Sequence, residues 1–80
     1  MISKKLKLTF RGKGIQRPVI YEVGHKFEVV TNIRRADVEV DGGWVILELT
    51  GDGREIDKAL EWMRDEGVRV DNVAGDIVEG

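Results

Sequence analysis

The stretch "EVVTNIRRADVEVDGGWVILELT", residues 28–50, decides the fold, because it has the pattern of two β-strands joined by a tight turn. The first strand pattern runs from Glu28 to Val40 and the second from Trp44 to Thr50. Between them stands "DGG" at Asp41 to Gly43, and Asp-Gly between two strand patterns is a strong hairpin signal. Val45, Leu47 and Leu49 are expected to form the buried face of the later strand. The sequence therefore predicts a β-hairpin in the middle of the chain.

The earlier strand of this hairpin changes phase in its middle. Before the two arginines, the residues of one face are odd-numbered: Val29, Thr31 and Ile33. After them, the apolar residues are even-numbered: Ala36, Val38 and Val40. A regular strand cannot change phase, because a shift of one residue turns every side chain to the other face. We therefore expect one extra residue between Arg34 and Asp37, absorbed as a β-bulge or a sharp bend.

Towards the N-terminus, the sequence predicts a strand followed by a helix. In "KKLKLTF" the apolar Leu6, Leu8 and Phe10 alternate with polar residues, which is the pattern of a strand with one buried face. "RGKG", at residues 11–14, predicts a turn. Pro18 suits the first position of a helix, and apolar residues then recur at helical spacing: Val19, Ile20, Val23 and Phe27. Gly24 inside this helix is expected to allow a close approach to a neighbouring strand.

Towards the C-terminus, "GDGREIDKALEWMRDEG" predicts the second helix. Asp52 can cap its N-terminus, with Glu55 three residues later as the second member of a capping box. Gly67 supplies the C-terminal stop, and the apolar stripe consists of Ile56, Ala59, Leu60 and Met63. "VRVDNV" then predicts a short last strand through Val68, Val70 and Val73. The segment 74–80 has no clear period and is expected to form a frayed tail.

The order β-α-β-β-α-β is the ferredoxin-like plan of the α+β class. This plan has a four-stranded antiparallel sheet with both helices on one face, and the second and last strands are expected at its edges. The 80 residues suffice for a single domain. We expect its core to span about residues 4–73.

The composition narrows the classes of function. Charged residues make up 35% of the chain, hydrophobic residues 41%, and the formal net charge is -2, which favours a soluble globular protein without a nucleic-acid partner. The absence of cysteine excludes disulfides, thiolate catalysis and sulfur-ligated metals. No apolar run reaches the ~20 residues that span a bilayer, and no secretory signal follows the N-terminal lysines, so we expect no membrane insertion and a cytoplasmic location.

The residues of the phase change allow two interpretations. An edge strand offers unpaired backbone groups to a partner, and bulges occur where side chains are re-aimed at sites. Asn32 has the donors and the acceptor needed to bind an amino acid, and Arg34 and Arg35 can pair with a carboxylate. Equally, an exposed Asn commonly bonds to nearby backbone, and arginines on an edge strand protect against aggregation.

The pattern "LKLTF … RPVIYEVGHKFEVVTNIRRADVEV … GGWVILELTG … IDKALEWMRDEGVRV" resembles the NIL domain over about residues 6–73. Asn32-Ile33 falls on the Asn-Ile of the motif that names this family, and Arg34 stands where Leu or Ile is usual. The resemblance implies an ACT-like, ferredoxin-type fold. It also implies a regulatory role like that of the C-terminal domain of the ATPase subunit of methionine importers, in which two copies associate and bind methionine near a shared edge. Other members are fused to ferredoxin modules and linked to sulfur amino-acid metabolism.

By this resemblance, Asn32 contributes to ligand binding, together with its neighbours Thr31, Ile33 and Arg34. The chain contains neither a P-loop nor the cysteines of a ferredoxin module, so we expect a free-standing or excised domain without a cofactor. Trp44 and Ile46 are expected on the sheet face opposite the helices, where they favour a homodimer interface over solvent. The alternative for Trp44 is a single aromatic ring covered by lysine stems.

Three other chemistries fit less well. "FRGKG" at residues 10–14 only superficially resembles the phosphate loop of acylphosphatases, and a turn with solvated Arg11 and Lys13 explains it. The single histidine, His25, has no nucleophile or metal ligands near it in the pattern and suits a helix C-terminus. RNA-binding domains with this fold stack bases on sheet aromatics, and Trp44, Lys5 and Lys7 share the open face, but Glu48 would repel phosphate.

The sequence therefore predicts a non-enzymatic module that dimerises and senses a small amino acid such as methionine near the edge of its second strand. The alternative is a protein–protein adaptor in sulfur amino-acid metabolism with no ligand of its own. A transporter or a sulfur-metabolism protein is the expected partner in either case.

Overall fold

The structure is a computed structural model that describes residues 1–12 and 18–78, with side chains described for 1–12 and 18–73. Its elements are β1 (Ile2–Arg11), α1 (Val19–Lys26), β2 (Val29–Glu39), β3 (Gly42–Gly51), α2 (Gly53–Asp65) and β4 (Arg69–Val78). The strands form one antiparallel sheet in the order β2-β3-β1-β4. The predicted ferredoxin-like fold is confirmed, and so are its two edge strands.

The core lies between the sheet and the two helices, and the alternating patterns identified it. The predicted buried residues of β1 and β3 are each 9% exposed or less: Leu6, Leu8, Phe10, Val45, Leu47 and Leu49. The apolar stripe of α2 packs onto them, and all four of its predicted members are buried. From α1, only Val19 and Val23 are buried, whereas Ile20 and the C-cap residue Phe27 pack at the margin of the core. The apolar faces predicted from the alternating strand patterns are therefore the faces that the two helices cover.

The first helix departs from the prediction at Pro18 and at Gly24. Pro18 is the N-cap of α1 rather than its first residue. Gly24 lies over Thr31 of β2, as a close approach requires, but a methyl group built there would be 3.7 Å from the Thr31 side chain. This distance is ordinary van der Waals contact, so the helix does not need glycine at this position.

The second helix begins and ends as predicted, except for one contact. The Asp52 carboxylate accepts a hydrogen bond from the backbone N–H of Arg54 at 2.9 Å, which confirms the cap. Glu55 does not complete a capping box, because its carboxylate accepts the backbone N–H of Glu28 instead. At the C-terminus, Gly67 has a φ of 90°, and the N–H groups of Gly67 and Val68 donate to the carbonyls of Arg64 and Met63. These two bonds form a Schellman motif, so Gly67 is the predicted stop.

The predicted turn and the predicted last strand are both displaced. The hairpin turn lies at Val40 and Asp41, one residue earlier than predicted, and β3 already begins at Gly42, which pairs with Glu39. β4 continues to Val78, so the prediction that it ends near Val73 was wrong. An irregularity between Lys4 and Leu6 of β1 separates its two paired segments: Lys4 pairs with Ile77 and Leu6 with Asn72. Because the pairing of β4 with β1 is interrupted between Asn72 and Ile77, the sequence of β4 does not alternate regularly, and its full length could not be predicted from such a pattern.

Candidate functional site

The phase change of β2 is a β-bulge at Arg34. Ile33 pairs with Leu47 of β3, and the next pair joins Arg35 to Ile46, so Arg34 is the extra residue. Leu47 faces the helices, as does Val45, the partner of Ala36. The bulge therefore keeps Ile33 and Ala36 on the helix side although their numbers differ in parity. The extra residue predicted between Arg34 and Asp37 is confirmed, and it is Arg34.

Asn32 lies on the opposite, open face of the sheet, where it pairs with Glu48. Its side chain is exposed. Among the described residues, none forms a hydrogen bond with its side-chain amide. Because β2 is an edge strand, Asn32 also has a free flank of backbone beside it. The amide is therefore available to a bound molecule, and the local backbone partner that commonly satisfies an exposed Asn is not present in this part of the chain.

Arg34, the extra residue of the bulge, lies near Glu48, the residue that pairs with Asn32. Its Nη1 lies 4.0 Å from Oε1 of Glu48, and the Arg34 side chain is 49% exposed. An ion pair of this length at the surface contributes little, because water screens the charges. The guanidinium therefore keeps donors that can bind a carboxylate in competition with Glu48.

The other two predicted ligand-binding residues lie on the helix side of β2. Thr31 pairs with Leu49 and lies under Gly24 of α1. Ile33 is 53% exposed although it faces the same way as the core. The structure thus brings Asn32 together with Arg34 and Thr31 together with Ile33, on opposite faces of one edge strand.

An apolar groove lies on the helix side, next to Ile33. Its volume is about 520 Å³, and its lining residues are Phe10, Pro18, Val19, Ile20, Tyr21, Ile33, Ala36, Val38 and Val45. The groove exists because α1 has 8 residues and β2 has 11. At about 1.5 Å of rise per helical residue and about 3.3 Å per strand residue, the helix covers only part of the strand. This groove was not predicted from the sequence, although a short helix pattern before a longer strand pattern indicates one.

The proposed interface residues Trp44 and Ile46 lie on the open face, as predicted, since they pair with Thr9 and Lys7 of β1. Both are partly buried rather than fully exposed. The Lys7 ammonium lies 5.5 Å from the centre of the Trp44 ring, within the range of a cation–π interaction. A lysine stem therefore covers part of this surface, and the remaining apolar area is smaller than the sequence suggested.

The residues considered for other chemistries form no catalytic arrangement in the described part of the chain. His25 stacks on Tyr21 and lies 3.1 Å from its hydroxyl. Gly12 donates its N–H to the carbonyl of Asp41, which holds the start of the predicted turn against the hairpin, whereas Lys13 and Gly14 lie outside the described residues. No three acidic or histidine side chains in residues 1–12 and 18–73 are grouped to hold a metal. Neither described helix has the length and apolarity to cross a membrane.

Comparison with known proteins gives a consistent set of matches. The family model of the NIL domain matches residues 4–72. Methionine import ATP-binding protein MetN 2 of Acinetobacter baylyi is 37% identical over 76 residues, which cover 90% of this chain and 22% of that protein. Methionine import ATP-binding protein MetN of Aliivibrio fischeri is 29% identical over 77 residues, which cover 91% of this chain and 22% of that protein. This chain thus spans about a fifth of the curated relatives it matches.

A solved structure supports the fold. The C-terminal domain of an ABC transporter ATP-binding protein from Enterococcus faecalis superimposes with a TM-score of 0.74, covering 91% of this chain and 86% of that domain. Its sequence identity of 20% is too low to transfer more than the fold.

Proposed function

This chain belongs to the NIL domain family, and from that premise we propose that it is a non-enzymatic regulatory module of the cytoplasm that senses a small amino acid, methionine first. The relatives that match it are named as methionine import ATP-binding proteins, of which it spans about a fifth. A domain of this size attached to, or associated with, a transporter ATPase would report ligand concentration rather than perform chemistry. Its proposed partner is therefore a transporter ATPase or another protein of sulfur amino-acid metabolism.

The bulge at Arg34 is the observation that carries the proposal. It leaves an exposed Asn32 amide without a partner among the described residues and places a half-exposed arginine beside it at the sheet edge. An amide with two donors and one acceptor, next to a guanidinium, suits the α-carboxylate and α-amine of an amino acid. We assign those two groups of the ligand to Asn32 and Arg34.

The ligand side chain is assigned to the helix side of the same edge. Ile33 and Thr31 face that way, and Ile33 opens into the apolar groove of about 520 Å³. A thioether chain is unbranched and polarizable, so it adapts to an irregular apolar surface of this kind. A ligand lying across the edge of β2 reaches both faces, which is why the four predicted residues can act together although they do not share one face.

Self-association completes the proposal. A single edge strand encloses a small ligand on one side only, and a second copy would close the other side. Trp44 and Ile46 remain the proposed contact residues of the open face, with Lys7 covering part of Trp44. We propose a homodimer as the sensing unit.

The second candidate is an adaptor without a ligand of its own. The observation that favours it is the apolar surface at the edge, where Val30, Ile33 and Val38 are each more than half exposed. Apolar groups at an exposed edge also suit a protein partner.

Titration calorimetry with L-methionine separates the two candidates. We expect heat of binding for the wild-type chain and its loss in Asn32→Ala. Asn72→Ala is the matched control, because Asn72 is also an exposed asparagine on an edge strand, at the opposite edge of the sheet. Wild-type binding that survives Asn32→Ala, or that Asn72→Ala removes equally, would refute the assigned site. An absence of heat at millimolar methionine would favour the adaptor.

A further inference from the structure

A bound amino acid carries two charges, and the residues assigned to it, Asn32 and Arg34, supply only one counter-charge. Arg34 is a cation and suits the α-carboxylate. The Asn32 amide is neutral and has one acceptor oxygen, whereas an ammonium group has a positive charge and three N–H donors. A site built from these two residues alone would bind the carboxylate and repel the ammonium through the charge of Arg34. Binding of both groups therefore requires a negative side chain near these two residues.

Glu48 of β3 is an acidic side chain in this position. It lies directly opposite Asn32 in the pairing of β2 with β3, so the two side chains share the open face with their Cβ atoms about 5 Å apart. Oε1 of Glu48 lies 4.0 Å from Nη1 of Arg34. One amide, one cation and one anion therefore meet at the same place beside the sheet edge.

The contact between Arg34 and Glu48 leaves room for a ligand to exchange partners with it. A direct charge-assisted hydrogen bond from a guanidinium to a carboxylate measures about 2.7–2.9 Å, and this contact is more than an ångström longer. The Arg34 side chain is 49% exposed, so water screens the pair and its separation costs little. The Glu48 side chain is only 21% exposed, so a positive group that binds to it is screened less than one at the open surface.

We propose that Glu48 binds the α-ammonium of the ligand while Arg34 binds its α-carboxylate, so that one zwitterion takes the place of the long ion pair. This assignment rests on the proposed function and adds a specificity-determining residue to its site. Asn32, opposite Glu48, keeps a role toward the same two ligand groups. Each charge of the ligand then meets an opposite charge, which restricts the ligands to amino acids with a free amine and a free carboxylate.

A cross-strand ion pair is the alternative role for Glu48. Lys5 of β1 lies opposite Glu48 on the side away from Asn32. Opposite charges at facing positions stabilise a sheet without any ligand. The two roles differ in what a neutral side chain at position 48 would change. Loss of a cross-strand pair alters stability, whereas loss of an ammonium partner lowers the affinity only for ligands that have the amine.

Titration calorimetry with two ligands separates these roles. The ligands are L-methionine and its des-amino analogue, the thioether carboxylic acid that lacks only the α-amine. We expect the wild type to bind methionine about tenfold or more tightly than the analogue, because a hydrogen bond to a charged group is lost with the amine. Glu48→Gln should weaken methionine binding by about the same factor and leave the affinity for the analogue unchanged.

Two further variants define the controls. Glu39→Gln removes an acid from the same face of β2 at the position opposite Gly42, away from Asn32, and it should change neither affinity. Arg34→Ala should weaken both ligands by a similar factor, because both have the carboxylate. Circular dichroism confirms that each variant is folded.

Several results would overturn the assignment of Glu48. Equal affinities of the wild type for the two ligands would do so without any variant. An equal loss of both ligands in Glu48→Gln would show that Glu48 acts through the position of Arg34 or through the fold. Methionine binding that Glu48→Gln leaves unchanged would refute the role of Glu48 and leave the proposed function intact. A wild type that binds neither ligand would refute the proposed amino-acid site itself and, with it, this role.

Discussion

The Glu55 carboxylate accepts the backbone N–H of Glu28 at 3.0 Å and so joins the first turn of α2 to the loop that precedes β2. Its other oxygen lies 3.2 Å from Nζ of Lys58, one turn along the helix. The hydrogen bond from Glu28, followed by that from Lys58, lowers the pKa of Glu55. Glu55, which was predicted to cap α2, thus binds the residue before β2, the strand that carries the candidate site.

The first prediction follows from the direction of this pKa shift. Because the pKa of Glu55 is lower in the folded chain than in the unfolded one, its carboxylate stabilises the fold above the ordinary glutamate pKa of about 4.3. This stability is lost as the pH falls through the lowered value. Glu55→Gln keeps an acceptor oxygen but not the charge, so we expect its deficit in unfolding free energy to be largest at neutral pH and to shrink below about pH 4.

Urea unfolding at a series of pH values measures this deficit. Glu61→Gln on the same helix is the control, since Glu61 is exposed and its carboxylate forms no hydrogen bond or ion pair with the described residues. Its effect should stay within about 0.5 kcal/mol at every pH. A deficit of Glu55→Gln that does not change with pH would contradict the role assigned to the charge.

The second prediction concerns the N-cap of α2. Asp52→Ala removes the acceptor for the Arg54 N–H, which lies 2.9 Å from Oδ1. We expect a loss of about 1 kcal/mol in the free energy of unfolding. Asp57→Ala in the first half of the same helix is the control. The Asp57 carboxylate is exposed, and its ion pair with Lys4 is long, at 3.8 Å. Its cost should stay below about 0.5 kcal/mol, so equal losses in the two variants would show that Asp52 does not act as a cap.

The third prediction concerns Gly43, the second residue of β3. A methyl group at this position would lie 2.5 Å from the carbonyl oxygen of Asp37 and 2.7 Å from the Cα of Val38. Since both contacts are with backbone, relief requires β2 and β3 to separate at this point. We expect Gly43→Ala to destabilise the fold by about 1–3 kcal/mol, measured by thermal or urea unfolding. Unchanged stability would show that the two strands are further apart here than the structure places them.

The fourth prediction is the opposite result at Gly24. This helical glycine leaves space for a methyl group, 3.7 Å from the Thr31 side chain. Alanine also restricts the unfolded chain and favours the helix, so Gly24→Ala should stabilise the fold by about 0.5–1 kcal/mol. The two glycine variants together test whether the distances in the structure, rather than residue type, decide the sign. Destabilisation by Gly24→Ala would mean that a methyl group at position 24 lies closer than 3.7 Å to the Thr31 side chain.

The parts of the fold that sequence predicted well are those with a covered face. Leu6, Leu8 and the apolar stripe of α2 alternate or repeat because a helix or a sheet buries them, and the pattern records this burial. The slip near Arg34 was visible for the same reason, since apolar residues continue on both sides of it. The hairpin turn was displaced because Gly42 and Gly43 belong to β3, where Gly42 has a φ of 157° and Gly43 has no room for a Cβ beside the backbone of β2.

The candidate site was less predictable, because it lies where the helices leave part of the edge strand β2 uncovered. The groove beside Ile33 results from the difference in length between α1 and β2, and no single residue marks it. Glu55 was expected to bond within its own helix, but Glu28 reaches it through the packing of two distant segments. The division of Thr31, Asn32, Ile33 and Arg34 between two faces was implied by the alternation, although the family resemblance treats them as one motif.

The last prediction tests the bulge itself. If Arg34 is the extra residue of β2, its deletion leaves Ile33 facing the helices and joins it to Arg35 in an unbroken strand. We expect this deletion variant to fold with a stability within about 1 kcal/mol of the wild type, because no buried group changes sides. It should weaken methionine binding, since the assigned Arg34 guanidinium is removed and Arg35, which then follows Ile33, lies in a regular strand rather than in a bulge.

Deletion of Ala36 is the matched control. It also removes one residue from β2, but it would place Arg35 on the helix side at the position next to Val45, where Ala36 now lines the apolar groove. We therefore expect it to be less stable than the Arg34 deletion in urea unfolding, because a charged group replaces a methyl group against an apolar surface. Equal stabilities, or a greater loss on deletion of Arg34, would show that the strand absorbs its extra residue elsewhere.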